Sequence, residues 1–403
     1  PEGRYKSAMK RRASIPIVLV LMFFQLMASN MVHPVTPTFF KDLSMPTYLF
    51  GAAFAAMAVT QFLFCPFWGR MGDSVGRVRV LVFSTLGYAV GQLAFLLSGS
   101  VPTILLARML SGLFAAGTTV NFMAYIADVS PAGQLGRNMS VCAAVTSAGT
   151  AAGYLVGGVI GDLSVHGTFL AQIAILCTVA AGIGLLLRDG PAYQKQPLAL
   201  KRAANPFSAF LEARGLLTPK VCVFLFVVFA SCFATTSYDN SFNYYIKDQF
   251  GFPPSYNGLI YAVVGLIGLI VNFTLGLRIQ RRENCRGPLA IILALSGFTL
   301  LSSLALSQIA PFIALNMLFY VFSSMYLPLQ QALIIREGKE GNGQISGVFS
   351  SVRAMGMIAG SLTAGFFYGI FPRLPLLVSA CAFLLAGLVC QIGAVHKKAK
   401  GGK

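Results

Sequence analysis

The chain has 403 residues, of which 56% are hydrophobic and only 10% are charged, and its mean hydropathy is +0.73. A soluble chain of this length needs far more charge to cover its surface, so the composition excludes a soluble globular protein. The apolar residues come in runs of roughly 20, about the length that crosses a ~30 Å hydrocarbon core. The sequence therefore predicts an all-α integral membrane protein.

Twelve apolar runs predict twelve transmembrane helices, named here spans 1 to 12 in chain order. Residues 188–219 form the longest polar stretch and separate six spans from six. The predicted organisation is an N-terminal six-helix bundle over 1–187, a cytoplasmic linker over 188–219 and a C-terminal six-helix bundle over 220–403. Within the linker, residues 207–217 form either a short interfacial helix or a flexible segment. The predicted spans are 15–37, 47–68, 79–98, 102–126, 139–161, 167–187, 220–246, 255–277, 288–306, 310–334, 344–371 and 374–394.

The placement of the basic residues indicates the topology. The formal net charge is +18. If the N-terminus is cytoplasmic, the segments on the opposite side carry only Lys41, Lys247 and Arg373, and the remaining Lys and Arg of the connections lie on the cytoplasmic side. The positive-inside rule then places both termini in the cytoplasm of a multi-pass cell-membrane protein. The excess basic charge is expected to contact anionic membrane lipid and not nucleic acid.

Span 1 carries polar side chains on one face and two prolines near its predicted outer end. Gln25 and His33 lie at positions i and i+8, so they share a helix face, with Asn30 beside it. Histidine titrates near neutral pH, which makes His33 a candidate for proton coupling or for contact with a polar part of a substrate. Alternatively, His33 only packs against Pro34 and Pro37.

The loop between spans 2 and 3 reads GRMGDSVGRVRVL and contains the pattern G-x-x-x-D-x-x-G-R-x-R. The members of the pattern are Gly69, Asp73, Gly76, Arg77 and Arg79. The glycines permit a tight turn and a close approach of helices. We expect Asp73 to lie at the start of span 3 and to cap its free N–H groups. The alternative is a plain basic loop that only follows the positive-inside rule.

Span 4 contains the pattern R-x-x-x-G, formed by Arg108 and Gly112. A charged side chain inside a membrane is costly, so Arg108 is a functional candidate in the outer half of this span. The alternative is that its long side chain reaches the outer membrane interface.

Span 5 contains SAGTAAGYLVGGVIGD, in which four glycines recur at short intervals. Gly149, Gly153, Gly157 and Gly158 give the helix a smooth face for tight packing, and Tyr154 lies among them. This face is either part of a transport motif or a packing surface alone.

Span 7 ends in SYDNSFNYYIKD, which places Asp239 within an otherwise apolar segment. The carboxylate is either a functional group in a cavity or outer gate, or a cap on the outer end of the helix. Its depth in the membrane decides between the two.

The two halves of the chain repeat each other. Phe39–Asp42 (FFKD) recurs as Tyr245–Asp248 (YIKD), 206 residues later, while Gly51 matches Gly258 at an offset of 207. Parallel six-helix repeats are typical of secondary transporters, whose substrate site lies between the halves. The same offset makes His33 and Asp239 equivalent positions, so each half offers one protonatable group. The side chains expected to line the cavity are Gln25, Asn30, Asn121, Tyr125, Tyr238, Asn243, Tyr244, Asn272, Asn316, Tyr320, Tyr326, Gln330 and Arg353.

Four of these windows resemble the major facilitator superfamily, and in particular its twelve-span drug:proton antiporter branch. They are the loop pattern of 69–79, the R-x-x-x-G of span 4, the glycines of span 5 and the P-x-x-P ending of span 1. The resemblance implies two pseudo-symmetric six-helix bundles and a chain that works as a monomer. It also implies that the 69–79 loop is a conformational gate, with Asp73 engaging span 11 near residues 343–347.

Two positions depart from the family pattern. Tyr154 stands where span 5 of the family has a proline, and Gln280 stands where the second copy of the loop would carry an acid. The first departure weakens the assignment of export, because the kink that proline gives the helix is lost.

The sequence thus predicts a secondary active transporter that exports small amphipathic molecules in exchange for protons. Alternatives are a facilitator or importer of an organic solute, or a lipid flippase, because the first half has no acid in the middle of a span. An enzyme and an ATP-driven pump are not expected, since the sequence has no phosphate-binding loop, metal cluster or catalytic triad pattern. No cofactor is expected, with the proton as coupling ion. The arginines favour neutral, zwitterionic or anionic substrates.

Overall fold

All twelve predicted spans form helices in the computed structural model, which describes residues 15–131, 134–189, 218–280, 285–337 and 342–400. Eleven of the helices are long and apolar enough to cross a membrane, and span 11 is the helix Asn342–Ile370. The segment 207–217, predicted as an interfacial helix or a flexible segment, lies outside the described residues.

Several helices are longer than the predicted spans, and two of the predicted spans are divided into more than one helix. Span 1 consists of two helices, and span 8 continues through a π-helix into a further short helix. The spans are Ile15–Met31 with Thr36–Asp42, Leu49–Val75, Arg77–Leu96, Val101–Val129, Leu135–Leu163, Val165–Leu186, Pro219–Phe250, Pro254–Val271 with Asn272–Gly276 and Leu277–Gln280, Arg286–Leu304, Ile309–Glu337, Asn342–Ile370 and Leu374–Lys400.

Span 1 is broken at residues 32–35, where the sequence predicted a continuous helix to residue 37. Pro34 has no N–H to donate to the carbonyl of Asn30, and that carbonyl accepts the N–H of His33 at 3.3 Å instead. The chain resumes as a helix at Thr36, whose hydroxyl donates to the Val32 carbonyl at 2.8 Å. His33 therefore lies in a turn between two helices.

Span 7 continues to Phe250, one turn beyond its predicted end. Gly251 ends it in the left-handed conformation with a φ of 67°, which glycine adopts without steric cost. Asp239 therefore lies about three turns inside the helix. The alternative that Asp239 caps the outer end of span 7 is wrong.

The cap at the start of span 3 also differs from the prediction. Span 2 continues to Val75 and includes Asp73, and the chain turns at Gly76 with a φ of 113°. The N–H of Val78 donates to Asp189 Oδ1 at 2.9 Å. The capping carboxylate is thus Asp189, from the end of span 6, and not Asp73.

The chain forms two compact units. Unit 1 comprises Pro1–Phe39, Val59–Pro206 and Pro253–Ala262, and unit 2 comprises Phe40–Ala58, Phe207–Phe252 and Val263–Lys403. The units follow the predicted halves except for two segments. The end of span 1, the connection that follows it and the first part of span 2 belong to unit 2, and the first part of span 8 belongs to unit 1.

Each unit pairs its helices in the same way. In unit 1, span 1 packs on spans 5 and 6, and span 3 packs on spans 4 and 6. In unit 2, span 7 packs on spans 11 and 12, and span 9 packs on spans 10 and 12. Every pair in unit 1 recurs six spans later in unit 2, which confirms the repeat seen in the sequence.

Equivalent glycines make close contacts between helices in the two units. Gly153 on span 5 faces the backbone carbonyl of Met27 on span 1, and Gly360 on span 11 faces that of Phe233 on span 7. A Cβ atom at either glycine would lie under 3.0 Å from that carbonyl oxygen, closer than real Cβ atoms approach. Glycine is thus required at both positions so that the two backbones can touch.

Gly153→Ala and Gly360→Ala are each expected to destabilise the folded protein by about 1–3 kcal/mol, the usual cost of overpacking. Thermal unfolding of the purified variants, followed by size-exclusion chromatography, should show midpoints lower by a few degrees. Gly287→Ala is the matched control, because no atom lies within 4 Å of the place that a Cβ atom would take there. Equal midpoints for all three variants would contradict the packing assignment.

Asp189→Ala is expected to cost about 1 kcal/mol, as does the loss of other helix caps. Asp189→Asn should lose less, because the amide keeps an acceptor oxygen. Hydrogen exchange of the peptide that contains Val78 measures the effect directly. Exchange should accelerate in Asp189→Ala and stay unchanged in Asp73→Ala, whereas the reverse pattern would restore Asp73 as the cap.

Candidate functional site

Arg77 is the centre of a polar network in the loop between spans 2 and 3. Its guanidinium forms an ion pair with Asp73 and a second one with Asp128 of span 4, with Nε 3.2 Å from Oδ2. It also donates to the Gly69 carbonyl at 3.1 Å and to Asn121 Oδ1 at 3.4 Å. One side chain thereby joins the ends of spans 2, 3 and 4.

Within this loop, Arg79 is exposed and no ion pair with it is found among the described residues. The side chains of residues 342–346, part of the predicted partner of Asp73, lie outside the described residues. The role of the loop as a conformational gate therefore stays a prediction.

Two side chains expected to line the cavity hold unit 1 together. Asn121 is fully buried and donates to the carbonyls of Trp68 and Gly117 at 3.1 and 3.0 Å. The Tyr125 hydroxyl donates to the Arg188 carbonyl at 2.8 Å. These contacts tie span 4 to span 2 and to the end of span 6.

Arg108 is buried in unit 1, with only 2% of its surface exposed. Its guanidinium lies 3.9 Å from the centre of the Phe95 ring and donates to Thr36 Oγ1 at 3.5 Å. The alternative that Arg108 reaches the membrane interface is wrong. The arginine instead connects spans 3 and 4 to the second helix of span 1, and a cation over an aromatic face is a stabilising arrangement.

An aromatic stack lies beside the break in span 1. The ring of His33 stacks on Tyr154 with centroids 5.6 Å apart, and Tyr154 stacks on Tyr261 at 4.7 Å. The residue that replaces the family's proline therefore positions the imidazole. Arg108 lies near enough to His33 for an electrostatic interaction.

The other two candidates on span 1 are held differently. Asn30 donates to the Leu26 carbonyl at 2.7 Å. Gln25 is buried, and both of its amide atoms are without a hydrogen-bond partner in the part of the chain that the structure describes. Such a buried amide is costly unless a ligand or water satisfies it.

Unit 2 brings polar groups of spans 7 and 10 into a line of hydrogen bonds. Tyr320 donates its hydroxyl to Asp239 Oδ1 at 2.8 Å, and Tyr238 donates to the Asn316 side chain. Nearer the start of span 7, Ser231 Oγ accepts a hydrogen bond of 2.9 Å from Gln330 Nε2 of span 10. The sequence candidates of these two spans are thus brought together.

The line continues to span 11. Thr235 Oγ1 lies 2.9 Å from the Tyr326 hydroxyl. The thiol of Cys232, one turn before Thr235, is within hydrogen-bonding reach of Tyr326 and of Arg353. Arg353 therefore lies beside the polar groups of spans 7 and 10.

The remaining candidates of unit 2 lie at the two ends of its helices. Asn272 begins the π-helix of span 8 and donates to the carbonyls of Gly268 and Ser324 at 2.8 and 3.3 Å. Asn243 is buried near the predicted outer end of span 7, and Tyr244 stacks on Phe50 with centroids 4.6 Å apart.

An ion pair lies at the predicted outer end of span 7. Lys41 Nζ is 2.7 Å from Asp248 Oδ1, and Tyr368 donates to Asp248 Oδ2 at 2.8 Å. Residues of spans 1, 7 and 11 therefore meet in one polar cluster of unit 2.

Sequence reasoning missed some of the residues that complete these networks. Asp128, Asp189, Cys232 and Thr235 were not singled out, because no local pattern marks them. Each of them contacts a residue of another helix, namely Arg77, Val78 or Tyr326, and only the structure shows this contact. His33 belongs to unit 1 and Asp239 to unit 2, so their pairing stays a prediction.

Comparison with known proteins identifies the family. A sequence profile of the Major Facilitator Superfamily matches residues 18–361 and 224–401. The chain is 21% identical to Multidrug resistance protein 2 of Bacillus subtilis (strain 168) over 388 residues, 96% of this chain and 95% of the relative. It is 27% identical to the class C Tetracycline resistance protein of Escherichia coli over 363 residues, 88% of this chain and 89% of the relative.

The fold agrees with solved structures of transporters. A bacterial homologue of the human lysosomal transporter Spinster, solved in an inward-facing and occupied conformation, superposes with a TM-score of 0.77 at 12% identity. The match covers 94% of this chain and 96% of that one. The chain belongs to the Major Facilitator Superfamily and is a multi-pass membrane transporter.

Proposed function

We propose that this transporter exports small amphipathic molecules across the cell membrane in exchange for protons. The observation that carries the proposal is Asp239. Among the acidic residues that the structure describes, Asp239 alone lies in the interior of a span, and the others lie at or near helix ends. The similarity to proteins named for multidrug and tetracycline resistance supports the assignment of export.

The setting of Asp239 suits a group that exchanges a proton for a substrate. An ionised carboxylate inside a membrane is costly unless it is paired or hydrogen-bonded, and the Tyr320 hydroxyl supplies one such bond. Protonation removes the charge of the Asp239 carboxylate, and a cationic group of a substrate compensates it. Proton and substrate therefore compete for the same carboxylate, which is the basis of an exchange cycle.

A facilitator, an importer or a lipid flippase is the second candidate. It is favoured by the described acids of spans 1 to 6, which all lie at or near helix ends, so unit 1 offers no carboxylate in the middle of a span. In that case His33 and Asp239 would contact the substrate without exchanging protons.

The orientation and assembly state complete the proposal. Both termini face the cytoplasm, because the basic connections then lie on the cytoplasmic side. The chain works as a monomer surrounded by lipid, with a small molecule as its substrate.

In the transport cycle, the outer side of the protein must close, and contacts between residues of the two sequence halves are proposed to close it. At the predicted outer end, Lys41 and Phe50 from the first half pack on spans 7 and 11 through Asp248, Tyr244 and Tyr368. Alternating access moves one repeat against the other. This cluster is therefore proposed to hold the outer end closed and to separate when the outer side opens.

Proton coupling is tested in liposomes with an imposed pH gradient and a pH-sensitive dye in the lumen. Asp239→Asn removes the titrating group and is expected to reduce substrate-driven proton flux at least tenfold, the effect of losing ~1.4 kcal/mol of coupling. His33→Ala should shift the pH dependence of transport. Asp42→Asn, at an exposed helix end, is the control and should behave as wild type.

Wild-type rates and an unchanged pH dependence in both variants would rule out His33 and Asp239 as coupling residues. Substrate movement without proton flux in the unmodified protein would favour the facilitator or flippase.

The outer closure is tested by cross-linking. In a variant without the native cysteines, Lys41→Cys with Asp248→Cys should form a cross-link with a short bifunctional thiol reagent. Because the cross-link prevents separation, transport is expected to stop and to return when a reducible reagent is cleaved. Each single cysteine variant, treated in the same way, serves as control. Full transport by the cross-linked protein would contradict the closure.

A further inference from the structure

Spans 2 and 8 are shared between the two units. The predicted outer part of span 2, up to Ala58, belongs to unit 2, and the remainder from Val59 belongs to unit 1. Span 8 shows the converse, since its residues up to Ala262 belong to unit 1 and those from Val263 to unit 2. Apart from the end of span 1, every other span lies within a single unit. A movement of one unit against the other therefore bends spans 2 and 8 or pulls one end of them away.

Span 2 is attached at two points, one in each unit. Near its predicted outer end, Gly51 packs so tightly on span 11 that a Cβ atom there would lie under 3.0 Å from the Ser361 carbonyl oxygen. Nearer its predicted inner end, the Trp68 indole donates to the Leu113 carbonyl of span 4 at 2.7 Å. Pro66 lies inside the helix between these attachments. Proline donates no N–H and its ring crowds the preceding turn, so the helix is weakened at this point.

Span 8 is attached in the same way, with the two units exchanged. Near its predicted outer end, Gly258 packs on span 5, where a Cβ atom would lie under 3.0 Å from the Tyr154 carbonyl oxygen. Nearer its predicted inner end, Asn272 Nδ2 donates to the Ser324 carbonyl of span 10 at 3.3 Å. At Asn272 the α-helix changes into the π-helix Asn272–Gly276, which packs on span 10. Such a segment interrupts the α-helical hydrogen bonds and is a common site of kinks.

The two irregularities occupy the same place in the repeat. The offset of 207 that matches Gly69 to Gly276 also matches Pro66 to Phe273, inside the π-helix. A proline and a π-helix are chemically unrelated, yet each weakens its helix at the same distance from the outer glycine contact. The long α-helices of spans 2 and 8 also pack more loosely on their neighbours than the other spans do. A loosely packed helix with interrupted hydrogen bonds bends at lower cost than a regular one.

We propose that Pro66 and the π-helix at Asn272 are hinges on which the predicted outer parts of spans 2 and 8 swing during transport. While the outer side is closed, each outer part stays packed on the unit that does not hold the inner part. When the outer side opens, each outer part leaves that unit and its helix straightens. This inference rests on the alternating access of the proposed function and is independent of proton coupling.

The helix geometry gives the size of the movement. Tyr48 lies 18 residues before Pro66, which is roughly 27 Å along a helix axis. A change of about 20° in the bend at Pro66 therefore moves Tyr48 by about 9 Å. A displacement of this size is measurable between two spin labels.

The hinge of span 2 is tested by pulsed electron paramagnetic resonance on the purified protein in lipid nanodiscs. In a variant without the native cysteines, labels at Tyr48→Cys and Leu97→Cys report the outer end of span 2 against unit 1, and both positions are exposed. Across acidic, neutral and alkaline pH, the distances should form two populations about 9 Å apart. Labels at Val75→Cys and Leu135→Cys, at the predicted inner end of unit 1, are the control pair and should keep one distance.

Pro66→Ala restores the missing N–H of span 2. Alanine is the best helix former, so the folded protein should be at least as stable as the parent. With the bend removed, the Tyr48 and Leu97 labels should show a single population. Pro328→Ala is the matched control, because it removes a proline from inside span 10, which lies wholly in unit 2. This control should keep both populations.

The hinge of span 8 is tested with labels at Tyr256→Cys and Ile309→Cys, two exposed positions near the predicted outer ends of spans 8 and 10. Asn272→Leu removes the amide that links the π-helix to span 10, and leucine favours a regular α-helix. The two populations of this label pair should then become one. If Asn272→Leu does not fold, Asn272→Ala makes the same test with a smaller side chain.

A single distance between the Tyr48 and Leu97 labels at every pH would overturn the proposal before any hinge variant is made. Two unchanged populations in Pro66→Ala would overturn it as well, and so would the loss of one population in Pro328→Ala. The distances are measured without a gradient or a substrate. Loss of proton coupling in Asp239→Asn therefore leaves this result unaffected, and a facilitator with these hinges would still show both populations.

Discussion

The close approach of backbones at glycine is the contact on which both units depend. Lipid tails are as apolar as the side chains they replace, so helices in a membrane are joined by close packing and hydrogen bonds. Gly153 on Met27 and Gly360 on Phe233 provide this packing at equivalent places. Span 1 and span 7 are thereby held along their length against spans 5 and 11, which fixes the faces that carry His33 and Asp239.

Charges inside such a bundle are tolerated only where the packing places a partner beside them. Arg77 has two carboxylates, Arg108 has the Phe95 ring, and Asp239 has the Tyr320 hydroxyl. Arg353 has uncharged donors alone among its described contacts. Arg77 and Arg108 therefore act as structural ties between helices, whereas Asp239 is the group proposed to exchange protons.

The spans and the repeat could be predicted because both follow from local apolar runs and from spacing along the chain. The helix breaks could not, because two prolines in one span are compatible with a kink or with the full interruption seen at residues 32–35. The cap on span 3 was assigned to Asp73, the nearest acid in sequence, whereas Asp189 reaches Val78 through the packing of span 6 on span 3. The hydrogen bonds between spans 7 and 10 likewise join residues that are about 80 to 90 positions apart in the sequence.

The repeat makes the scaffold symmetric but leaves the chemistry asymmetric. Positions equivalent to Arg108 and Arg353 are Leu315 and Thr146, and the equivalent of Asp73 is Gln280. Each of these three charged groups thus occurs once. Arg108 and the ion-paired loop lie in the first half, and Asp239 and Arg353 lie in the second. Because a membrane penalises every additional charge inside it, a charged group that only one half needs is absent from the equivalent position of the other.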